Sequence, residues 1–130
     1  PRKRPGGETV EYILGQIREH YPDVLVMGEI STLEEAEAVL PLGFDIISTT
    51  LSGYTESSQD VKSVNLELIR QIRGITDTPI IAEGKIAREE EAVEAMRAGA
   101  HAVVVGTSIT RPEIITERYV GALREFEARL

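Results

Sequence analysis

The sequence predicts an α/β protein: a helix followed by (βα)4 with four parallel strands. Two observations predict it. Four short apolar runs, VLVMGEI at 24–30, FDIISTT at 44–50, TPIIAE at 78–83 and HAVVVG at 101–106, are rich in β-branched residues and end in small or polar ones. Each is too short for a helix and reads as a buried strand. The segments between them carry apolar residues at helical spacing, and strict alternation of strands with helical crossovers implies parallel pairing under a helical layer.

The elements follow in order. Val10, Ile13, Leu14 and Ile17 share one face of a first helix. Leu33, Ala36 and Leu40 do so in a second, where Ser31-Thr32 followed by Glu34 and Glu35 makes a good helix start. Leu66, Ile69 and Ile72 mark the third, and Ala92, Ala95 and Met96 the fourth, which stops at Gly99. A last helix is expected from about Pro112 to the end, with Ile114, Ile115, Tyr119, Leu123 and Phe126 turned inward. "LGFD" before the second strand and "AGAH" before the fourth form a weak repeat: a helix end, a glycine, then a strand. The polar stretch TLSGYTESSQDVKS, Thr50 to Ser63, follows a strand's carboxyl end and reads either as a lid or as a disordered loop.

Residues 1–130 form one domain on grounds of length. Four βα units are too few to close a (βα)8 barrel and too few for the usual five-stranded open sheet. The chain also opens on a helix, as if a strand should precede it, so it reads as a part of a fold.

Bulk properties narrow the function classes. A net charge of −8 argues against nucleic-acid binding, which needs a basic face. With no cysteine, disulfides and thiolate metal sites are excluded. No apolar run is long enough to span a bilayer, and PRKRPGGE lacks the apolar stretch of a signal peptide. The expectation is a cytoplasmic protein without a nucleic-acid or membrane partner. The RKRP segment reads as a basic patch or, more simply, a solvated end.

In parallel α/β folds ligands sit at the carboxyl ends of the strands. The residues there are Glu29, Thr49-Thr50, Glu83-Gly84-Lys85, and Gly106-Thr107-Ser108 with Arg111. Gly106 lets backbone approach a ligand, amides from 106 to 108 and near Pro112 can face an anion, and Arg111 offers a bidentate charge partner. Phosphate is the expected anion; a tight turn beside a surface arginine is the plain alternative. Glu83 closes the run PIIAE, with Ile81 on its side of the strand and Ile80 and Ala82 on the other. A carboxylate there suits proton transfer, or simply pairs with Lys85 or Arg88. Glu29 reads equally as functional or as capping. His20 and His101 lie away from the ligand face and read as structural or solvated.

Four segments together resemble one family. "RKRPGGET", "ISTLEEAEA…LGFDIISTTLSGYT", "PIIAEGKI" and "GAHAVVVGTSITRPEIITERY" are similar to N-acylmannosamine-6-phosphate 2-epimerases over nearly the whole chain. The resemblance implies a (βα)8 barrel working without metal or organic cofactor. It implies interconversion of N-acetylmannosamine 6-phosphate and N-acetylglucosamine 6-phosphate in sialic-acid catabolism. The match covers the barrel's second half, so the implied fold is a half TIM barrel that self-associates or joins a complementing first half. A flavodoxin-like open α/β/α sandwich is the alternative.

By the same resemblance Glu83 is the catalytic glutamate. Gly84, Lys85, Gly106, Thr107 and Arg111 bind phosphate, and Glu29, Thr50, Ser52 and Tyr54 lie on the substrate side. The family's acid/base lysine, in a motif like "GIIKR", has no counterpart here, nor does its aspartate before "RKRP". The implied function is the phosphate-binding, glutamate-bearing half of the epimerase, inactive alone. The alternative is a non-catalytic half-barrel folding module that keeps at most phosphate affinity. Two departures stand out: "MGEIST" replaces the usual "MADIST", making Glu29 one methylene longer, and "YTESSQDVKS" replaces "YTPYSKQ".

Overall fold

A computed structural model describes residues 6–130; the RKRP segment lies outside the described residues. Ten regular elements follow in the order α1 (Val10–His20), β1 (Met27–Glu29), α2 (Leu33–Val39), β2 (Ile46–Ser48), α3 (Leu66–Ile75), β3 (Ile80–Glu83), α4 (Glu89–Arg97), β4 (Ala102–Val104), α5 (Thr107–Thr110) and α6 (Pro112–Glu127). The strands are shorter than the apolar runs that predict them, because only part of each run is paired. Helix starts follow side-chain capping: Thr9, Thr32 and Asn65 accept from the amides of Tyr12, Glu35 and Leu68.

All pairing is parallel, and the sheet order is β1-β2-β3-β4. A doubly wound sheet needs a point where strand order reverses, and this sheet has none. Right-handed crossovers that always step the same way put their helices on one face. The open sandwich is therefore excluded, and the four-stranded unit has the arrangement of half a TIM barrel.

The core lies between sheet and helices. Ile47, Ile80 and Ala82 from the strands meet Ala36, Leu68, Ile69, Ile72 and Ala95 from α2, α3 and α4, and all are buried. Each isoleucine buried there contributes roughly 1.5–3 kcal/mol of transfer free energy. Ile81 and Glu83 point to the other face, as period two requires. That face has no covering layer among the described residues: Met27 is 41% exposed and Val104 42%. Leu25, just before β1, is exposed too.

Two arginines fasten the amino end of the sheet. Arg18 on α1 donates to Asp45 Oδ2 (2.6 Å), Val24 O (2.9 Å) and Gly43 O (3.0 Å). Arg73 on α3 donates to the carbonyls of Gly99, Thr76 and Thr78. His20 and His101 lie at this end, away from the strands' carboxyl ends.

The last helix differs from its expected orientation. Ile114 and Ile115 are half-buried, but Tyr119, Leu123 and Phe126 are exposed. They form an apolar stripe turned largely to solvent, so helical periodicity alone misassigns them to the core.

Candidate ligand cleft at the carboxyl ends of the strands

Thr50, just beyond β2, and Glu83, at the end of β3, meet across the strand ends. Thr50 Oγ1 donates to Glu83 Oε2 at 2.9 Å and pairs with Ser48 Oγ at 2.6 Å. The neighbouring Thr49 is buried and bonds the backbone of Glu83 instead. One strand end thus holds the glutamate twice, main chain and side chain, through adjacent residues.

The chain turns sharply after Glu83. Gly84 and Lys85 both have positive φ, 102° and 59°, the second unusual for a residue with a Cβ. This turn aims the Lys85 side chain back over the 50–63 segment. Its Nζ donates to Val61 O at 2.7 Å and lies 5.0 Å from the Tyr54 ring centroid, a cation–π contact. Gly53 permits that path: a Cβ there would sit 2.6 Å from both Lys85 Cε and Val61 O.

The 50–63 segment is an ordered cap rather than a disordered loop. A short helical turn at Glu56–Ser58 interrupts it, and Ser52, Thr55 and Ser58 are buried. Thr55 Oγ1 donates to Ser31 Oγ at 3.0 Å, and Ser31 in turn donates through N and Oγ to Glu35 Oε2 at 2.7 Å. Gly53 N donates to Ser58 Oγ (2.8 Å), and Asn65 Nδ2 donates to Ser52 Oγ (3.1 Å). The hydroxyls of Ser31 and of the 50–63 segment, with the Asn65 side-chain amide, satisfy one another, which fixes the cap on the β1–α2 junction.

These elements enclose a cleft of about 570 Å³. Thr50, Tyr54, Glu83, Gly84, Lys85, Gly106 and Thr107 line it, so seven of the ten expected site residues share one space. Ser52 does not line it; the residue is buried and its Oγ accepts from Asn65 Nδ2. Glu29 is exposed at the end of β1 and does not line it. Arg111 also lies outside the lining, with its Nε 2.7 Å from Glu113 Oε1.

Two cations that the sequence did not single out, Lys62 and Arg118, do line the cleft. A spacing signal existed for the second: Ile114, Ile115 and Arg118 fall on one helical face. At the rim, Ser108 Oγ donates to Ile86 O (2.9 Å) and Arg118 Nη1 to Ala87 O (3.2 Å). The amide of Ala87 donates to Glu91 (2.8 Å) and, with the Arg88 amide and charge, holds that carboxyl below the usual carboxylate range. Among the described residues no group of three or more His, Asp or Glu side chains is placed to hold a metal ion, and no helix is long and apolar enough to cross a membrane.

Such a molecule belongs to the class of parallel βα proteins built on the TIM-barrel plan, with the ligand cleft at the carboxyl ends of the strands. Residues 1–125 match the family model described as "Putative N-acetylmannosamine-6-phosphate epimerase". The chain belongs to this N-acetylmannosamine-6-phosphate epimerase family. It is 52% identical over 122 residues to a relative from Caldanaerobacter subterraneus named "Putative N-acetylmannosamine-6-phosphate 2-epimerase", covering 94% of this chain and 52% of the relative. A solved structure of the N-acetylmannosamine-6-phosphate 2-epimerase from Clostridium perfringens superposes with a TM-score of 0.84 at 45% identity, over 93% of this chain and 52% of that one. A thiamine phosphate pyrophosphorylase from Pyrococcus furiosus shares the fold, at a TM-score of 0.60, 22% identity and coverage of 81% and 48%. The chain spans about half the length of the curated relatives it matches.

Proposed function

We propose that this chain is the glutamate-bearing, phosphate-binding half of an enzyme that interconverts N-acetylmannosamine 6-phosphate and N-acetylglucosamine 6-phosphate. The observation that carries this is the carboxylate of Glu83, held at 2.9 Å by Thr50 in a cleft that also opens onto Gly106 and Thr107.

Epimerisation at C2 removes a proton beside the carbonyl of the open-chain sugar and returns one to the opposite face. It needs two proton-exchanging groups, one on each side, and an anchor that positions the substrate. Glu83 is one such group. Gly84, Lys85, Gly106, Thr107 and Arg111 form the anchor, with Arg111 contributing when its pair with Glu113 opens. Glu29, Thr50, Ser52 and Tyr54 stand on the sugar side. The second proton-exchanging group is the lysine of the family's first half, so the chain alone does not turn over. A first half-barrel, or a second copy of this chain, covers the bare sheet face.

The test is deuterium incorporation at C2 of N-acetylmannosamine 6-phosphate in D2O, followed by NMR. No exchange is expected with the chain alone. Exchange is expected once the first half of a relative is added, and Glu83→Gln should lower it strongly. Exchange by the chain alone refutes the need for a partner. Phosphate binding without exchange in the complemented sample favours a non-catalytic half-barrel module.

A further inference from the structure

The cleft carries a charge pattern opposite to that of the chain. The protein has 22 acidic and 14 basic residues, yet the charged side chains lining the cleft are Lys62, Lys85 and Arg118 against the single carboxylate of Glu83. A cleft lined mainly by one sign of charge concentrates the opposite ion.

The cations are not equivalent. Lys85 is committed to Val61 O and the Tyr54 ring. Arg111 is paired with Glu113 and stands outside the lining. Arg118 spends one donor, Nη1, on Ala87 O, and no described carboxylate lies within ion-pair distance of it. A guanidinium presents five N–H donors in a planar fork, so most of this fork is open to a ligand. The bond to Ala87 O ties the side chain to the rim, and half-buried Ile114 and Ile115 set the rotation of α6 that brings Arg118 to the cleft.

We infer that Arg118 is an anion-binding residue of this cleft and takes the dianionic phosphate of a phosphate monoester. The inference rests on the phosphate reading above and adds to it a residue from α6. The fork matches two phosphate oxygens at once, which a lysine does not.

The experiment titrates the chain with inorganic phosphate at constant ionic strength and follows the amide signals of Gly106, Thr107 and Ser108. Wild type is compared with Arg118→Gln, Arg118→Lys and Arg124→Gln, the last a charge-only control on the same helix. Arg118→Gln is expected to weaken binding about tenfold, as loss of a charge-assisted hydrogen bond would. Arg118→Lys should recover part of that, and Arg124→Gln should change little. Equal effects of Arg118→Gln and Arg124→Gln overturn the inference and leave phosphate binding intact. Wild-type amides that do not respond overturn the phosphate reading and this inference together.

Discussion

Thr49 Oγ1 bonds the main chain of Glu83 on both sides, accepting from its amide at 3.1 Å and donating to its carbonyl at 3.0 Å. A hydroxyl that is 2% exposed thus extends the β2–β3 ladder one step past the last paired residues. The glutamate is placed by its neighbour's backbone grip before its own side chain finds a partner.

Thr49→Val keeps the shape and removes both bonds. Leaving buried groups without partners costs roughly 1–3 kcal/mol. Urea denaturation should show that loss as a lower midpoint with an unchanged slope.

Thr50 acts on the side chain. In the complemented enzyme, Glu83→Gln should lower C2 deuterium exchange by roughly 10²–10⁴-fold, the usual contribution of a general acid or base. Thr50→Val should produce a smaller loss of exchange and also lower stability by roughly 1–3 kcal/mol, because it takes away the partner of the buried Ser48 hydroxyl as well as the bond to Glu83. NMR-detected exchange separates the two. Equal rates in wild type and Glu83→Gln would remove the glutamate from the chemistry.

Gly53 combines a φ of 82° with contact to Lys85 and Val61. Gly53→Ala meets both constraints, so a loss of at least about 1 kcal/mol is expected. Hydrogen exchange should localise it: amides from Gly53 to Ser58 lose protection while those of α3 keep theirs.

Acid should loosen the amino end of the sheet. The Val26 amide, then Arg18, hold the Asp45 carboxyl below its ordinary range. A lowered folded-state value gives stability that is fully present above the unfolded carboxylate range, near pH 4, and lost as pH falls through the folded value. Asp45→Asn should therefore be less stable than wild type at pH 7, and the gap should narrow below about pH 4. Urea midpoints at a series of pH values check the sign.

Much of this structure is legible in the residues because the relevant forces are local. Runs such as IIAE and AVVV state their burial through composition, and Thr32 and Asn65 mark helix starts by capping chemistry. The turn at Gly84 is visible beside Glu83 for the same reason. The cap at 50–63 is not, since its order comes from Thr55 meeting Ser31 and Asn65 meeting Ser52, contacts between residues far apart in the chain. The rotation of α6 is hidden for another reason. Its apolar residues fit two faces, and only tertiary contact with the cleft selects Ile114, Ile115 and Arg118 over Tyr119, Leu123 and Phe126.

Parallel strands are ordinarily covered on both sides, and here Met27 and Val104 meet water. The melting temperature of such a chain is not a constant of its sequence. Whatever settles on that side binds only the native form and raises the midpoint by mass action, so calorimetry at rising concentrations of a candidate companion doubles as an affinity measurement.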